Sequence, residues 1–302
     1  MKTIIISILL ISITIIGNSQ QQSIFSQYLF NGFLINPAIA GSDSKSPIQL
    51  TAREQWAGID GAPSTQAISG HTSLGLKESV GVGGYLYNDL FGPVSRAGIH
   101  GAFAYHINIS PNTKLAFGLS LSVFQYKINE NGLNIINAND VAITGKTEAA
   151  LAPDANFGLY LYNNKYFVGL SSTQILSSKL NLNDAYNLSN VTRHYYFLSG
   201  YKFEISKSID IEPSVLLKLT EYNPFQIDIN AKIYYQKNYW LGFSYRTDDA
   251  MVVMLGLKLD RYKIGYAFDY TTSNLSNYTY GSHEIMLGIE LSKPKNSRKV
   301  LD

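Results

Sequence analysis

The stretch 225-FQIDINAKIYYQ-236 decides how this chain is read. Ile227, Ile229, Ala231, Ile233 and Tyr235 share one face of an extended chain, and Gln226, Asp228, Asn230, Lys232 and Tyr234 share the other, because successive side chains of a strand point to opposite faces. One face wants an apolar medium and the other wants water. Residues 262–270 repeat the pattern, with Tyr262, Ile264, Tyr266, Phe268 and Tyr270 opposite Lys263, Gly265, Ala267 and Asp269. Residues 283–291 set Ile285, Leu287, Ile289 and Leu291 against Glu284, Met286, Gly288 and Glu290. Alternation alone fits a soluble sandwich as well as a membrane barrel, since sandwich sheets pack their apolar faces on each other.

Loop lengths separate the two. Strands are expected near 47–55, 64–74, 79–88, 94–107, 113–126, 154–162, 165–173, 191–204, 208–220, 225–236, 238–247, 250–259, 262–271 and 282–292. Connections after even-numbered strands are short, whereas those after odd-numbered strands include residues 127–153, 174–190 and 272–281, the three longest. Outer-membrane barrels sort their loops this way, with tight turns and both termini on the periplasmic side. A sandwich has no reason to. The expected fold is therefore all-β: a transmembrane antiparallel up-and-down barrel of about 14 strands over residues 47–292. Its interior is expected to carry Lys218, Asp228, Lys232, Arg246, Lys263, Asp269, Glu284 and Glu290.

Composition agrees. Hydrophobic residues make up 45% and charged ones 15%, against about a quarter charged in ordinary soluble domains, so something other than water must face part of the surface. Tyr (22) far outnumbers Trp (2), which suits interfacial girdles where a ring needs an apolar body and a wet tip. A formal charge of +2 gives no footing for nucleic-acid binding. The absence of Cys removes disulfide frameworks, thiolate metal sites, Cys nucleophiles and a lipidated N-terminal Cys.

At the N-terminus, Lys2 precedes the apolar run IIISILLISITII (residues 4–16), followed by GNSQQQ. That order predicts a signal peptide over residues 1–19. Thirteen helical residues cover only about 20 Å, short of the roughly 30 Å hydrocarbon core. No later stretch reaches membrane-helix length, so an exported chain that spans a membrane must do so as a closed barrel.

Chemistry-bearing motifs are thin. His71, His100, His106, His194 and His283 are scattered over four expected strands without His-x-x-x-His or Glu-x-x-His spacing, and they read as lumen or rim residues. No Gly-x-Ser-x-Gly is present. The loop NANDVAITGKTE lacks calcium-loop spacing, and Gly81-Val82-Gly83-Gly84 lies within a strand and precedes no helix. The reading is a non-enzyme with no catalytic residue, cofactor or metal site.

Three stretches carry a resemblance: FSQYLFNGFLINPAIAGS (25–42), REQWAGIDGAPSTQAISGHTSL (53–74), and GVGGYLYNDLFGPVSRAGIHGAFAYHI with KLAFGLSLSVFQY (within 81–126). They resemble the opening of the PorP/SprF family of Bacteroidetes outer-membrane proteins, which accompany type IX secretion and gliding machinery. The resemblance implies an accessory that helps secrete, or anchor at the cell surface, proteins with a C-terminal sorting domain. It implies as partners outer-membrane lipid, type IX secretion components and a large secreted or surface adhesin. A passive or substrate-specific diffusion channel is the alternative.

Within those motifs the apolar residues of 25–35 do not alternate, and Asn36-Pro37 stops any helix. Residues 20–46 are expected to be an N-terminal periplasmic segment in which 23–42 form a short helix and turn at the barrel mouth, as a plug or as a loose arm. Trp56 is expected at the outer rim, in a hairpin punctuated by Gly58, Gly61 and Pro63, with YNDLFGP forming the next outside loop. The candidate partner-facing residues are Phe25, Tyr28, Phe30, Asn36, Pro37, Trp56, Asp60, Asp89 and Phe91. A polar tail occupies 293–302.

Overall fold

The structure is a computed structural model that describes residues 25–75, 78–131, 145–180, 182, 191–221 and 225–292. Its strands are β1 (Ser46–Glu54), β2 (Ser64–Leu74), β3 (Val80–Phe91), β4 (Val94–Ser110), β5 (Thr113–Asn129), β6 (Thr147–Tyr162) and β7 (Tyr166–Thr173). There follow β8 (His194–Tyr201, resuming at Phe203–Glu204), β9 (Ile209–Thr220), β10 (Gln226–Tyr235), β11 (Tyr239–Arg246), β12 (Ala250–Leu259), β13 (Tyr262–Thr271) and β14 (Ser282–Leu291). Each strand pairs antiparallel with its sequence neighbours. β1 closes on β14 from Ser46↔Leu291 to Glu54↔His283, so the result is a closed barrel of 14 strands. Closure pairs every strand on both sides, except where the loop-rim end of β6 runs past β7.

The alternation read from sequence sets the two faces of this wall. Leu121 is 65% exposed, Ile229 60% and Leu255 52%, all pointing outward, while Glu284, Asp269 and Arg53 point inward at 0%, 1% and 3%. A wall greasy outside and charged inside inverts a soluble protein, and in lipid each such outward side chain contributes about 1.5–3 kcal/mol. Exposed tyrosines form two belts. Tyr105, Tyr201, Tyr235, Tyr239 and Tyr262 lie near one rim and Tyr195, Tyr245 and Tyr270 near the other.

The rims differ. At one, hairpins such as 111–112, 163–165 and 260–261 make tight turns, and Ser46 and Leu291 lie there together. The other, the loop rim, carries 55–63, 247–249, 272–281 and the ends of the two longest connections. The sequence-predicted loop 174–190 has only part of its length among the described residues, and so has 127–153.

Three regions depart from the sequence reading. β5 and β6 run further toward the loop rim than 113–126 and 154–162, because Pro153 reads as a loop residue yet lies in β6. β7 joins β6 only from Phe157↔Ser172 onward, so Pro153 stands where β5 is the sole strand neighbour and a missing N–H costs little. In β9, Pro213 interrupts the ladder to β8: pairing stops at Ser214↔Gly200 and resumes at Ile211↔Phe203. Finally, residues 25–42 form no helix-and-turn at a barrel mouth. They make three 3-10 turns, Ser26–Leu29, Gly32–Leu34 and Pro37–Ile39, threaded down the bore from the loop-rim half to the tight-turn rim.

Candidate functional site

The site is the bore and the segment that fills it. Near the loop rim, the backbone N–H groups of Ser26 (2.6 Å) and Gln27 (2.9 Å) donate to the Glu284 carboxylate. Ser26 Oγ donates to Asp269 Oδ2 at 2.7 Å and accepts from Arg53 Nη1 at 2.7 Å. Arg53 bridges Asp269 (2.7 Å) and Glu284 (3.4 Å), and Arg246 bridges Asp228 (3.3 Å) and Asp249 (3.0 Å). Away from bulk water such charges persist only when paired and hydrogen-bonded. Here the first residues of the plug join the network.

Lower down the grip changes. Lys232 Nζ pairs with Glu212 (2.6 Å) and donates to the Leu29 carbonyl (3.1 Å), and Asn31 Nδ2 donates to Ser69 Oγ (2.9 Å). Asn36 Oδ1 accepts from Ala38 N–H (2.9 Å), capping the next turn, while Nδ2 donates to the wall carbonyls of Leu159 (3.0 Å) and Leu170 (3.3 Å). Ser171 Oγ donates to the Ile35 carbonyl at 2.7 Å. At the tight-turn rim, His71 Nδ1 accepts from Gly41 N–H (3.1 Å) and His106 Nε2 donates to the Ala40 carbonyl (2.8 Å). Two histidines of the sequence reading thus hold plug backbone.

Shape completes the fit. A Cβ on Gly81 would overlap the Ala40 carbonyl, one on Gly118 would overlap Ala38, and one on Gly158 would overlap Asn36. At Gly81 and Gly118 the wall lacks a side chain where plug backbone passes, and at Gly158 where the Asn36 side chain lies. Apolar contacts seal the rest: Tyr28 and Ile35 pack with Tyr196, Leu198 and Leu216, and Phe33 and Ile39 with Ala104.

The candidate residues fall into two groups. Tyr28, Asn36 and Pro37 are buried in the bore, with Phe25 and Phe30 half-buried beside them, Phe30 lying 5.2 Å from the Trp240 ring. Asp89 also points inward, 6% exposed, and accepts from Thr65 Oγ1 at 2.6 Å. Tyr28, Asn36, Pro37 and Asp89 face the barrel's own interior. Trp56, Asp60 and Phe91 stay at the loop rim. Gly92 N–H donates to the Gly61 carbonyl (2.7 Å), which ties their two hairpins together. Arg53, Ser26, Gly118 and Gly158 were not singled out from sequence, and Gly81 was read only as part of a strand. Period-two alternation could have placed Arg53 inside, but not its partners.

A closed barrel with an apolar outer band and a strapped, plugged bore defines a plugged outer-membrane β-barrel protein. The fold is similar to the Ralstonia pickettii toluene transporter TbuX (TM-score 0.53, 7% identity, 86% of this chain and 93% of that one). It is also similar to a Pseudomonas aeruginosa FadL homologue (TM-score 0.50, 8% identity, 85% and 92%) and to the CymD monoaromatic hydrocarbon channel (0.50, 10%, 86% and 91%). At such identities the likeness is one of fold. No curated protein matches in sequence. The model of the family described as type IX secretion system membrane protein PorP/SprF matches residues 17–289, and the chain belongs to that family.

Proposed function

We propose that the barrel is a non-enzymatic accessory of the type IX secretion and gliding machinery. It helps to secrete, or to anchor at the cell surface, proteins with a C-terminal sorting domain. The match to the PorP/SprF family over residues 17–289 carries this reading. In this proposal residues 1–19 are a cleaved signal peptide, the tight-turn rim faces the periplasm and the loop rim faces outward. Trp56, Asp60 and Phe91 then stand where a large adhesin or a neighbouring machine component is met. The plug weighs against the rival reading of an open diffusion channel, since residues 25–42 occupy the bore through most of its length.

Deleting the gene and measuring surface and secreted sorting-domain proteins tests the proposal. Loss of one such protein supports it, and unchanged export of all of them refutes it. Conductance of the purified barrel in planar bilayers separates the rival: a stable open pore favours the channel.

A further inference from the structure

Between the plug and the loop rim lies a chamber that the secretion reading does not use. Phe25, Leu34 and Ile35 of the plug form its floor. Leu180 and Val191, from the β7–β8 connection, pack with Ala152 and with Phe124 of its wall. The space open to the centres of water molecules is about 70 Å³, room for roughly five waters.

Its walls are aromatic and polar together. Tyr85 stacks on His100 with ring centroids 4.0 Å apart, Tyr87 lies 5.6 Å from His100, and the Arg96 guanidinium sits 5.1 Å over the Phe124 ring. Asp154 is 3% exposed. Its Oδ1 accepts from Ala155 N–H (2.7 Å) and Leu176 N–H (3.1 Å), but its Oδ2, though buried, has no hydrogen-bond partner among the described residues. Arg96 Nε is likewise buried and without one among the described residues. A buried donor or acceptor left unmade costs about 1–3 kcal/mol, so both wait for a ligand or for water.

The two orphans select the ligand. A cation would satisfy Asp154 while facing the guanidinium and leaving Nε unpaired, and an anion would do the converse beside Asp89 and Asp154. A neutral ring with hydroxyl groups can donate to Asp154 Oδ2, accept from Arg96 Nε, and lay an apolar face on Tyr85 or Tyr87. We infer that this chamber binds a neutral sugar unit, held between the Asp154 carboxylate and the Arg96 guanidinium against the tyrosine faces.

The test titrates the full-length barrel in nanodiscs with glucose, galactose, mannose and N-acetylglucosamine, each as free sugar and as methyl glycoside. Choline and benzoate are the charged comparators, with saturation-transfer NMR and calorimetry as readouts. At least one neutral sugar should saturate at millimolar concentration. Asp154→Asn, which puts an amide donor where an acceptor is needed, should weaken it roughly tenfold with the folded, heat-modifiable band intact. If that variant fails to fold, Arg96→Lys probes the other contact and should weaken binding similarly. Binding of the glycoside marks the end unit of a glycan as the ligand, and binding of the free sugar alone marks a monosaccharide; either supports the inference. Choline binding without sugar binding, no sugar bound by the folded protein, or unchanged affinity in the folded variants overturns it.

Discussion

The two ends of the plug are held by opposite means. Residues 26–29 are gripped by charge: backbone amides, a hydroxyl and a carbonyl plug into Glu284, Asp269, Arg53 and Lys232. Residues 36–41 are gripped by shape, pressed against wall positions at Gly81, Gly118 and Gly158 that have no side chain to refuse them. Charge cannot be cut on one side without stranding a partner, whereas a shape fit fails most when bulk is added, and the hydrogen bonds of Asn36, His71 and His106 only supplement it. Removal of a side chain should therefore loosen the upper end more than the lower, and addition of one should loosen the lower.

The largest effect is expected from Glu284→Ala, which leaves Arg53 short of one carboxylate and two plug amides without acceptors. A loss of about 3–5 kcal/mol is expected. Thermal unfolding in detergent reports the loss, and hydrogen exchange should rise at residues 26–29 while 36–41 stay protected. If both ends exchange together, the plug is one cooperative unit and its two grips do not act separately.

Gly118→Val tests the other half. Overpacking against Ala38 should cost about 1–3 kcal/mol and release residues 36–41 first, with new conductance steps in planar bilayers over a silent parent. An unchanged exchange pattern would show that the cradle is not what holds this end. Asn36→Ala adds nothing to the bore but removes three hydrogen bonds, and about 1–2 kcal/mol should go, read as a smaller fall in the unfolding temperature. Trp56→Ala, on the loop rim outside both grips, should change stability by about 0.5 kcal/mol or less while lowering surface display of the cargo. A large fall in stability there would place Trp56 in the barrel's own framework.

Strand number, the order of short and long connections, and the facing of Asp228, Lys232, Asp269 and Glu284 were legible along the chain, because each is a local property of an extended segment in contact with two media. The boundary between loop 127–153 and strand 154–162 was misplaced, and Pro153 is tolerated inside β6 because β7 pairs β6 only from Phe157 onward. Residues 25–42 misled the reading further. Their apolar residues follow neither strand nor helix period, because the segment packs on every side against a curved wall, and only the wall dictates which side chain goes where.

By itself the sequence determined that this protein is a barrel in a membrane, through an alternation of period two and a sorting of loop lengths by strand parity, neither of which needs knowledge of partners distant in the chain. The tertiary structure alone decided that the bore is filled and how. Ser26 meets a carboxylate 258 residues away, and Gly118 is a glycine because of Ala38. Such pairings exist only once the sheet has closed, since closure is what brings the first residues of the plug and the last strand of the wall into one low-dielectric space.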